Sequence, residues 1–411
     1  MSLRDQSVAA ARQAADLALE RGNFTRANLA FVFCSRYHAD HAETIAHEIR
    51  DRLGVECLIG CTARGLIGGR VEAQADAPAI SILAADIPGL EFTEFTEDDL
   101  PAPPDQRADV LARLADAAAL DSAARATFLF ADPYSTPLVK LIPAFNTARA
   151  GRDIPLIGGL ASAADGPGEN RLLLNERTRR AGLVGVTIAG PITVETVVSQ
   201  GCRPIGPELV ITRAKGNLIQ QLGGRSAAAV VRDVVEEFTD HERDMLEQGL
   251  FIGRVVTEYK DRHGPGDYLI RAVMGTDAES GSIAVSDLVR AGQTIRFHIR
   301  DARAATDDLD MLLAAHRLDP PPLGALLVSC TARGTNLFDT PSHDASAIAK
   351  LFDAPMSGPE LAKAGHTIDA VTPPIAGLFA AGEIGPIAGQ SYLHAHTACA
   401  ALFRPAPNHA S

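Results

Sequence analysis

Two arginines and two cysteines recur in one five-residue pattern, and both residue types could do chemistry. The pattern Cys-Thr-Ala-Arg-Gly occupies residues 61–65 and again residues 330–334. A guanidinium can clamp a carboxylate or another anion through paired hydrogen bonds, and a guanidinium near a cysteine favours the nucleophilic thiolate. The pattern therefore permits a ligand site built on the two arginines, or an enzyme with Cys61 or Cys330 as its nucleophile. We favour buried thiols, because neither cysteine lies in a nucleophile signature.

A carboxylate and two histidines near the C-terminus form a second candidate group. Glu383 follows an apolar strand, where it could bind a ligand amine. Together with Arg333 it would suit a zwitterion such as an amino acid. Without ligand the two charges should pair with each other or hold water, because burying either one unpaired is costly. His394 and His396 share one face of an extended segment and could complete a metal site with Glu383. We favour pocket or core histidines and predict no metal and no cofactor.

Four loops of small residues should position these side chains. They follow apolar strands and occupy residues 61–65, 158–162, 330–334 and 382–385. Loops of this kind expose backbone N–H groups and let a ligand approach the main chain, so we expect them to converge on one cavity; the alternative is four separate tight turns. The predicted ligand-binding residues are Cys61, Thr62, Arg64, Gly158, Gly159, Ser162, Cys330, Thr331, Arg333, Gly382, Glu383, His394 and His396.

The element pattern predicts an α+β fold. Apolar strands outnumber helices, which favours mixed or antiparallel sheets packed face to face with helices outside. The repeated five residues predict two related halves in which the two copies occupy equivalent positions. Residues 181–188 and 192–199 should form a hairpin. The turn-rich residues 201–207 mark a boundary, so we place one domain at residues 1–205 and the other at residues 206–411.

Composition excludes several classes of protein. The chain has 411 residues and a formal net charge of −13, which disfavours nucleic acid and anionic membranes as partners. Its start lacks the apolar core of a signal peptide, and its six cysteines form no C-x-x-C pair. We therefore expect a cytoplasmic protein. Nucleotide-binding, serine-hydrolase and zinc-protease motifs are also missing from the sequence.

Several segments resemble the FIST family. Residues 200–206 resemble the motif that closes the N-terminal FIST domain, and residues 157–162 resemble its small-residue loop. Residues 329–334, 377–386 and 393–397 resemble successive signatures of the C-terminal FIST domain, with His396 as a departure from the pattern. The resemblance covers about residues 25–404 in the expected order.

This resemblance implies a sensory module, since the family is named for F-box and intracellular signal transduction proteins. Its members are thought to bind small ligands, amino acids among them, and to pass a signal to an output domain. The chain has no room for an output domain, so we expect it to act through a signalling protein partner. Two alternatives stay open: an enzyme with a cysteine nucleophile, and a protein-interaction scaffold without a ligand.

Overall fold

The computed structural model describes residues 1–74, 77–102, 105–260, 262–277, 279–353 and 373–407. The α-helices among these residues are α1 Ser7–Gly22, α2 Ala42–Leu53, α3 Ala108–Ala117, α4 Leu138–Ala148, α5 Ala227–Glu236, α6 Asp240–Met245, α7 Ala302–His316 and α8 His343–Ala349. None of the helices in this part of the chain combines the length and the apolar character that a membrane crossing requires.

Strands dominate the described residues, as the sequence predicts. The first twelve are β1 Leu29–Ser35, β2 Cys57–Ala63, β3 Gly65–Gly68, β4 Val71–Ala73, β5 Ile80–Ala85, β6 Glu91–Thr96, β7 Ala124–Ala131, β8 Leu156–Leu160, β9 Leu172–Leu174, β10 Arg177–Arg179, β11 Leu183–Ala189 and β12 Ile192–Gln200. The others are β13 Cys202–Lys215, β14 Leu218–Leu222, β15 Arg225–Ser226, β16 Leu250–Val255, β17 Tyr268–Asp277, β18 Ser282–Val285, β19 Thr294–Arg300, β20 Gly324–Cys330, β21 Ile375–Ala380, β22 Glu383–Ile387, β23 Gln390–His394 and β24 Thr397–Pro405.

The chain divides into two compact units. Unit 1 comprises Met1–Val198, Asp310–Leu393 and Thr397–Ser411, and unit 2 comprises Ser199–Leu309 and His394–His396. The predicted domain boundary between residues 205 and 206 lies near the first change of unit, and it stays a prediction about domain organisation. The α+β class with mixed and antiparallel sheets is confirmed.

A strand–helix–strand motif with parallel strands recurs three times in unit 1. The parallel pairs are β1 with β2, β7 with β8, and β20 with β21. Helices α2, α4 and α8 lie in the three connections. In each sheet an antiparallel strand extends the first strand of the pair, and a hairpin extends the second.

Each hairpin joins the sheet of another motif. Hairpin β3–β4 follows β2 in the chain but pairs with β21, hairpin β9–β10 follows β8 but pairs with β2, and hairpin β22–β23 follows β21 but pairs with β8. The three motifs of unit 1 therefore exchange hairpins in a closed ring, and each of these three sheets combines strands from separate stretches of the chain.

One glycine marks the equivalent position in all three motifs. A Cβ atom there would lie 1.7 or 1.8 Å from a carbonyl oxygen of the parallel neighbour, so only glycine fits without moving the backbone. The three pairs are Gly60 with Val32, Gly158 with Leu129, and Gly377 with Leu327. The register of the parallel pairs is thus the same in the three motifs.

This register shows that the two Cys-Thr-Ala-Arg-Gly copies are not equivalent. Cys61 follows Gly60 within β2, the second strand of its motif, whereas Cys330 ends β20, the first strand of its motif. The predicted equivalence is therefore wrong. Three of the four predicted loops also lie largely in strands: residues 61–63 belong to β2, residues 158–160 to β8 and residues 383–385 to β22.

The inner faces of the three sheets share one apolar core in unit 1. Alternate residues of the first strands supply it, as the two-residue period of a strand requires. They include Phe31, Phe33, Phe128, Phe130, Leu326 and Val328. The rings of Phe31 and Phe128 meet edge to face at 4.8 Å. Burying each such side chain contributes about 1.5–3 kcal/mol, and the opposite sheet faces carry helices α1 to α4.

Unit 2 is an antiparallel barrel. Its strands follow the order β13-β19-β16-β17-β18-β14-β15, and an additional pairing of β14 with β13 closes the first six into a ring. Isoleucine, valine and phenylalanine side chains from these strands fill the core, among them Ile219, Ile252, Ile283 and Phe297. Closure removes the exposed sheet edges that would otherwise recruit other strands.

One local prediction near the unit boundary, the hairpin before it, is wrong. Residues 181–188 and 192–199 do not form a hairpin, because β11 pairs with β6 and β7 while β12 pairs with β24. The turn-rich residues 201–207 lie largely within strand β13. Glycine and proline are tolerated there because the pairing of β13 with β19 shifts register between Ile205 and Leu209.

Candidate functional site

The four predicted loops contact one another in unit 1, and Ser162 links two of them to strand β21. Its N–H donates to the carbonyl of Thr62 at 3.3 Å. Its Oγ accepts from the N–H of Arg64 at 2.9 Å and donates to the carbonyl of Phe379. The buried Ser162 hydroxyl therefore ties residues 61–65 to β21, the strand that leads into the loop of Glu383.

Backbone hydrogen bonds bring in the remaining loops. The N–H of Leu160 donates to the carbonyl of Gly382 at 2.8 Å, and the N–H of Ala381 donates back to Leu160 at 3.0 Å. The N–H of Thr331 donates to the carbonyl of Ala380 at 2.9 Å. These contacts place Gly158, Gly159 and Ser162 beside the strand ends that carry Arg333 and Glu383.

Arg333 is completely buried, and its ion-pair partner is Asp344. Nε donates to Oδ2 at 2.7 Å and Nη2 donates to Oδ1 at 2.8 Å, so the pair is bidentate. Ser329 also donates to Oδ2, at 3.0 Å. Burial alone would raise the pKa of Asp344, but the charge and hydrogen bonds of Arg333 outweigh burial and hold this pKa well below its usual range.

Of the two expectations for these charges, direct pairing of Arg333 with Glu383 is therefore wrong, and the expectation that they hold water stays a prediction. Asp344 sits on α8, and sequence reasoning missed it because an aspartate at a helix start is ordinarily read as a terminal residue that faces solvent. An aromatic pair completes the surroundings. The Phe338 ring lies 5.2 Å from the guanidinium carbon, and His343 stacks on that ring at 3.6 Å. Arg333 is thus held in one orientation, with Nη1 buried and without a hydrogen-bond partner in the described part of the chain.

Glu383 is the second completely buried charged residue of the site. Its Oε2 accepts from the Thr397 hydroxyl at 2.6 Å and from the Thr397 N–H at 3.2 Å. Burial raises the pKa of Glu383 to about 8, against the opposing effects of Thr397, the Cys330 thiol and the Arg333 charge. Its Oε1 is buried and meets no nitrogen or oxygen donor within hydrogen-bond distance.

Hairpin β3–β4 brings two further residues that sequence reasoning missed. Gln74 accepts from the Thr335 N–H at 2.9 Å and donates to the Arg333 carbonyl at 3.4 Å. This close approach requires glycine at position 334, where φ is +58° and a Cβ would lie 1.7 Å from the Gln74 amide nitrogen. Gln74 therefore fixes the loop that carries Arg333.

Glu72 holds the segment that carries Asp344. Its N–H donates to the Ser342 hydroxyl at 3.0 Å, and its Oε1 accepts from the Ala345 N–H at 2.9 Å. Burial, and then the Asp344 charge, raise the pKa of Glu72 to about 7. Its Oε2 is buried without a hydrogen-bond partner among the residues that the structure describes. No local pattern could reveal this residue, because it lies 272 positions from Asp344 and reaches the sheet of β21 through hairpin β3–β4.

Other predicted residues lie outside this buried cluster. Arg64 is half exposed and pairs with the exposed Asp165. Cys61 is completely buried, and burial strongly raises its pKa, which disfavours a thiolate. A surface depression of about 480 Å³ runs along α1, and none of the predicted site residues lines it.

The two histidines belong to unit 2. His394 is buried, and His396, with φ +62°, places its ring 4.5 Å from Phe251. Their roles stay predictions. A different group, Glu195, His316 and Asp319, has three potential metal-ligand atoms within 4.8 Å of one another. Arg404 donates to Glu195 at 2.7 Å, and its charge disfavours a cation there.

Comparison with known proteins agrees with the predicted resemblance. The FIST N domain model matches residues 28–225, and the FIST C domain model matches residues 227–386. An uncharacterized protein of Mycobacterium tuberculosis is 37% identical over 399 residues, which cover 96% of each chain. An uncharacterized protein of Mycobacterium bovis is 37% identical over 408 residues, which cover 97% of this chain and 95% of that protein.

The predicted pair of related halves is confirmed. The FIST N region contains the motifs β1–α2–β2 and β7–α4–β8, and the FIST C region contains the motif of β20, α8 and β21. The chain therefore belongs to the FIST family.

Proposed function

We propose that this protein is a cytoplasmic sensory protein that binds an amino acid and passes a signal to a protein partner. FIST domains are associated with signal transduction and small-ligand sensing. One observation carries the proposal for this chain: Arg333 Nη1 and Glu383 Oε1 are two buried polar atoms of opposite character without hydrogen-bond partners among the described residues. Unsatisfied buried groups are rare in folded proteins and mark places where a ligand or water belongs.

The chemistry of these two atoms fits a zwitterion. Asp344 occupies Nε and Nη2 of Arg333, so the Nη1 edge remains for a ligand carboxylate. Thr397 occupies Oε2 of Glu383, so Oε1 remains for a ligand ammonium. The two groups influence each other electrostatically, since the Arg333 charge lowers the pKa of Glu383. Gly158 and Gly159 in β8, and Gly382 between β21 and β22, present no side chain beside these groups.

A thermal-shift screen of the twenty amino acids tests the proposal. A ligand at one hundred times its dissociation constant stabilises the folded protein by about 2.7 kcal/mol. We expect a rise in Tm with at least one amino acid. Glu383→Gln should abolish that rise, whereas Glu91→Gln, which changes an exposed carboxylate, should keep it. If no amino acid raises the Tm, or if Glu383→Gln responds like the wild type, the proposal is wrong.

A specific observation supports the alternative that the protein is an enzyme with a cysteine nucleophile. Cys330 lies beside both Glu383 and Arg333, and its thiol helps to stabilise the Glu383 carboxylate. An enzyme with Cys330 as nucleophile would be labelled rapidly and stoichiometrically at that residue by iodoacetamide at pH 7. Slow labelling that the bound amino acid slows further would favour the sensor.

A further inference from the structure

Glu72 offers the ligand site a carboxyl group from the other family domain. It belongs to the FIST N region, yet strand β4 lies in the sheet of β20 and β21, which the FIST C region supplies. Its backbone N–H and its Oε1 are both used, by Ser342 and Ala345. The carboxyl group is therefore fixed in place, and only the buried Oε2 is left without a partner.

The charged groups around Glu72 indicate that its Oε2 lacks a positively charged partner among the described residues. The titratable groups that act on it are Asp344, His343 and Arg333. Asp344 already neutralises Arg333 through the bidentate pair. The Arg333 charge acts on both Glu72 and Glu383, but Asp344 already balances it. Among the described residues, neither of the two carboxyl groups therefore has a positive charge of its own. A ligand with one ammonium group satisfies only one of them.

We propose that Glu72 and Glu383 each bind a different amino group of the ligand while Arg333 Nη1 binds its carboxylate, so that the ligand is a diamino acid of the lysine or ornithine type. This inference rests on the proposed function and names its ligand class. It assigns to Glu72 the selection of the side-chain amine and to Glu383 the α-ammonium group.

The protonation of the empty site supports this assignment. Near pH 7 the raised pKa of Glu72, about 7, keeps this group partly protonated. The raised pKa of Glu383, about 8, keeps that group largely protonated. An arriving ammonium group favours the carboxylate form, so each occupied carboxyl group releases its proton. A diamino acid should release more protons on binding than a monoamino acid of the same shape.

Calorimetric titration of lysine and norleucine provides the matched comparison, because norleucine keeps the chain but lacks the terminal amine. We expect the wild type to bind lysine or ornithine at least about tenfold more tightly than norleucine. Glu72→Gln retains an oxygen for the Ala345 N–H, so it should remain folded, lose at least tenfold in affinity for the diamino acid and bind norleucine unchanged. Glu383→Gln should weaken both ligands, and Glu91→Gln neither.

Proton release is measured on the wild type alone, so it does not depend on the folding of any variant. Titrations in phosphate and in Tris at pH 7 should give a larger proton release for lysine than for norleucine. Equal affinity and equal proton release for the two ligands would overturn the inference and leave the proposed function intact. Failure of every amino acid to bind the wild type would overturn both.

Discussion

Asp344 holds Arg333 through two parallel hydrogen bonds, and both side chains are buried completely. Removing one partner of such a pair leaves an uncompensated buried charge, which typically costs about 3–5 kcal/mol. Asp344→Asn should therefore lower the free energy of unfolding by about that amount, measured by urea denaturation.

The pair of Arg64 and Asp165 is the matched control for this variant. It has the same residue types, but its side chains are 48% and 59% exposed. Exposed ion pairs contribute little because water and salt screen them. Asp165→Asn should thus leave the denaturation midpoint close to that of the wild type. Equal losses in the two variants would contradict the burial argument.

The pKa of Glu383 predicts how stability depends on pH. This pKa is raised to about 8 in the folded protein from an ordinary value of 4.5. Between these two values the folded state holds a proton that the unfolded state has lost, so the free energy of unfolding should fall as pH rises. The slope approaches about 1.4 kcal/mol per pH unit for one proton.

Urea denaturation at pH 5, 6, 7 and 8 checks this expectation. Glu383→Gln removes one of the titrating groups and should make the decline shallower, most clearly between pH 7 and 8, where Glu72 with its pKa of about 7 contributes less, while Glu91→Gln should keep the wild-type slope. A variant with glutamine at position 383 that loses stability as steeply as the wild type would show that Glu383 does not titrate in this range.

The three equivalent glycines should not tolerate alanine. At positions 60, 158 and 377 a Cβ would lie 1.7 or 1.8 Å from a carbonyl oxygen of the neighbouring parallel strand. The strands must then separate, and we expect each substitution to cost about 2–4 kcal/mol or to prevent folding. Thermal denaturation of the three single variants measures this directly.

Gly166 is the control for this series, because a Cβ there would meet only the Glu169 carboxylate, at 4.0 Å. Gly166→Ala should keep the wild-type Tm. The prediction is contradicted if any of the three strand variants is as stable as Gly166→Ala.

Cys61 should resist alkylation in the folded protein. Its side chain is completely buried, and burial raises its pKa, so little thiolate forms and none is accessible. Iodoacetamide at pH 7 followed by peptide mass spectrometry should label Cys61 only after denaturation. The exposed thiols of the urea-unfolded chain supply the reference rate, and labelling of native Cys61 at that rate would disprove the assignment.

Local elements were accessible from the sequence, whereas their partners were not. The apolar strand expected before residues 61–65 appears as β2, Cys57–Ala63. The spacing of hydrophobic residues and the position of a glycine determine the structure of a few neighbouring residues, so sequence patterns reveal such elements. Hairpin exchange joins residues far apart in the chain, and no local pattern encodes which sheet a hairpin will join.

The internal repeat illustrates the same limit. The predicted equivalence of the two copies rested on the five residues shared by positions 61–65 and 330–334, but these copies begin on non-equivalent strands. The true signal is shorter: Leu-Ile-Gly at 58–60 and at 156–158, and Ile-Ala-Gly at 375–377. It becomes meaningful only when the register shows that each glycine faces a carbonyl oxygen of a parallel neighbour.

The site was predicted in part for the same reason. Arg333, Glu383 and the four loops stand at strand ends, where small residues and glycine reveal them. Asp344, Glu72 and Gln74 reach the cluster through α8 and β4, and their own neighbours in the sequence are unremarkable. Burial, which gives Glu72 and Glu383 their raised pKa values, is a property of the assembled sheets.

The exchange of hairpins predicts how the two family regions would behave if they were produced as separate fragments. The FIST C region alone would lack β3–β4, and the FIST N region alone would lack β22–β23. Each fragment would then present an open sheet edge, which recruits other strands. Fragments made separately should aggregate or recombine with each other in solution. Within unit 1, the two family names therefore label stretches of chain whose sheets are complete only when both stretches are present.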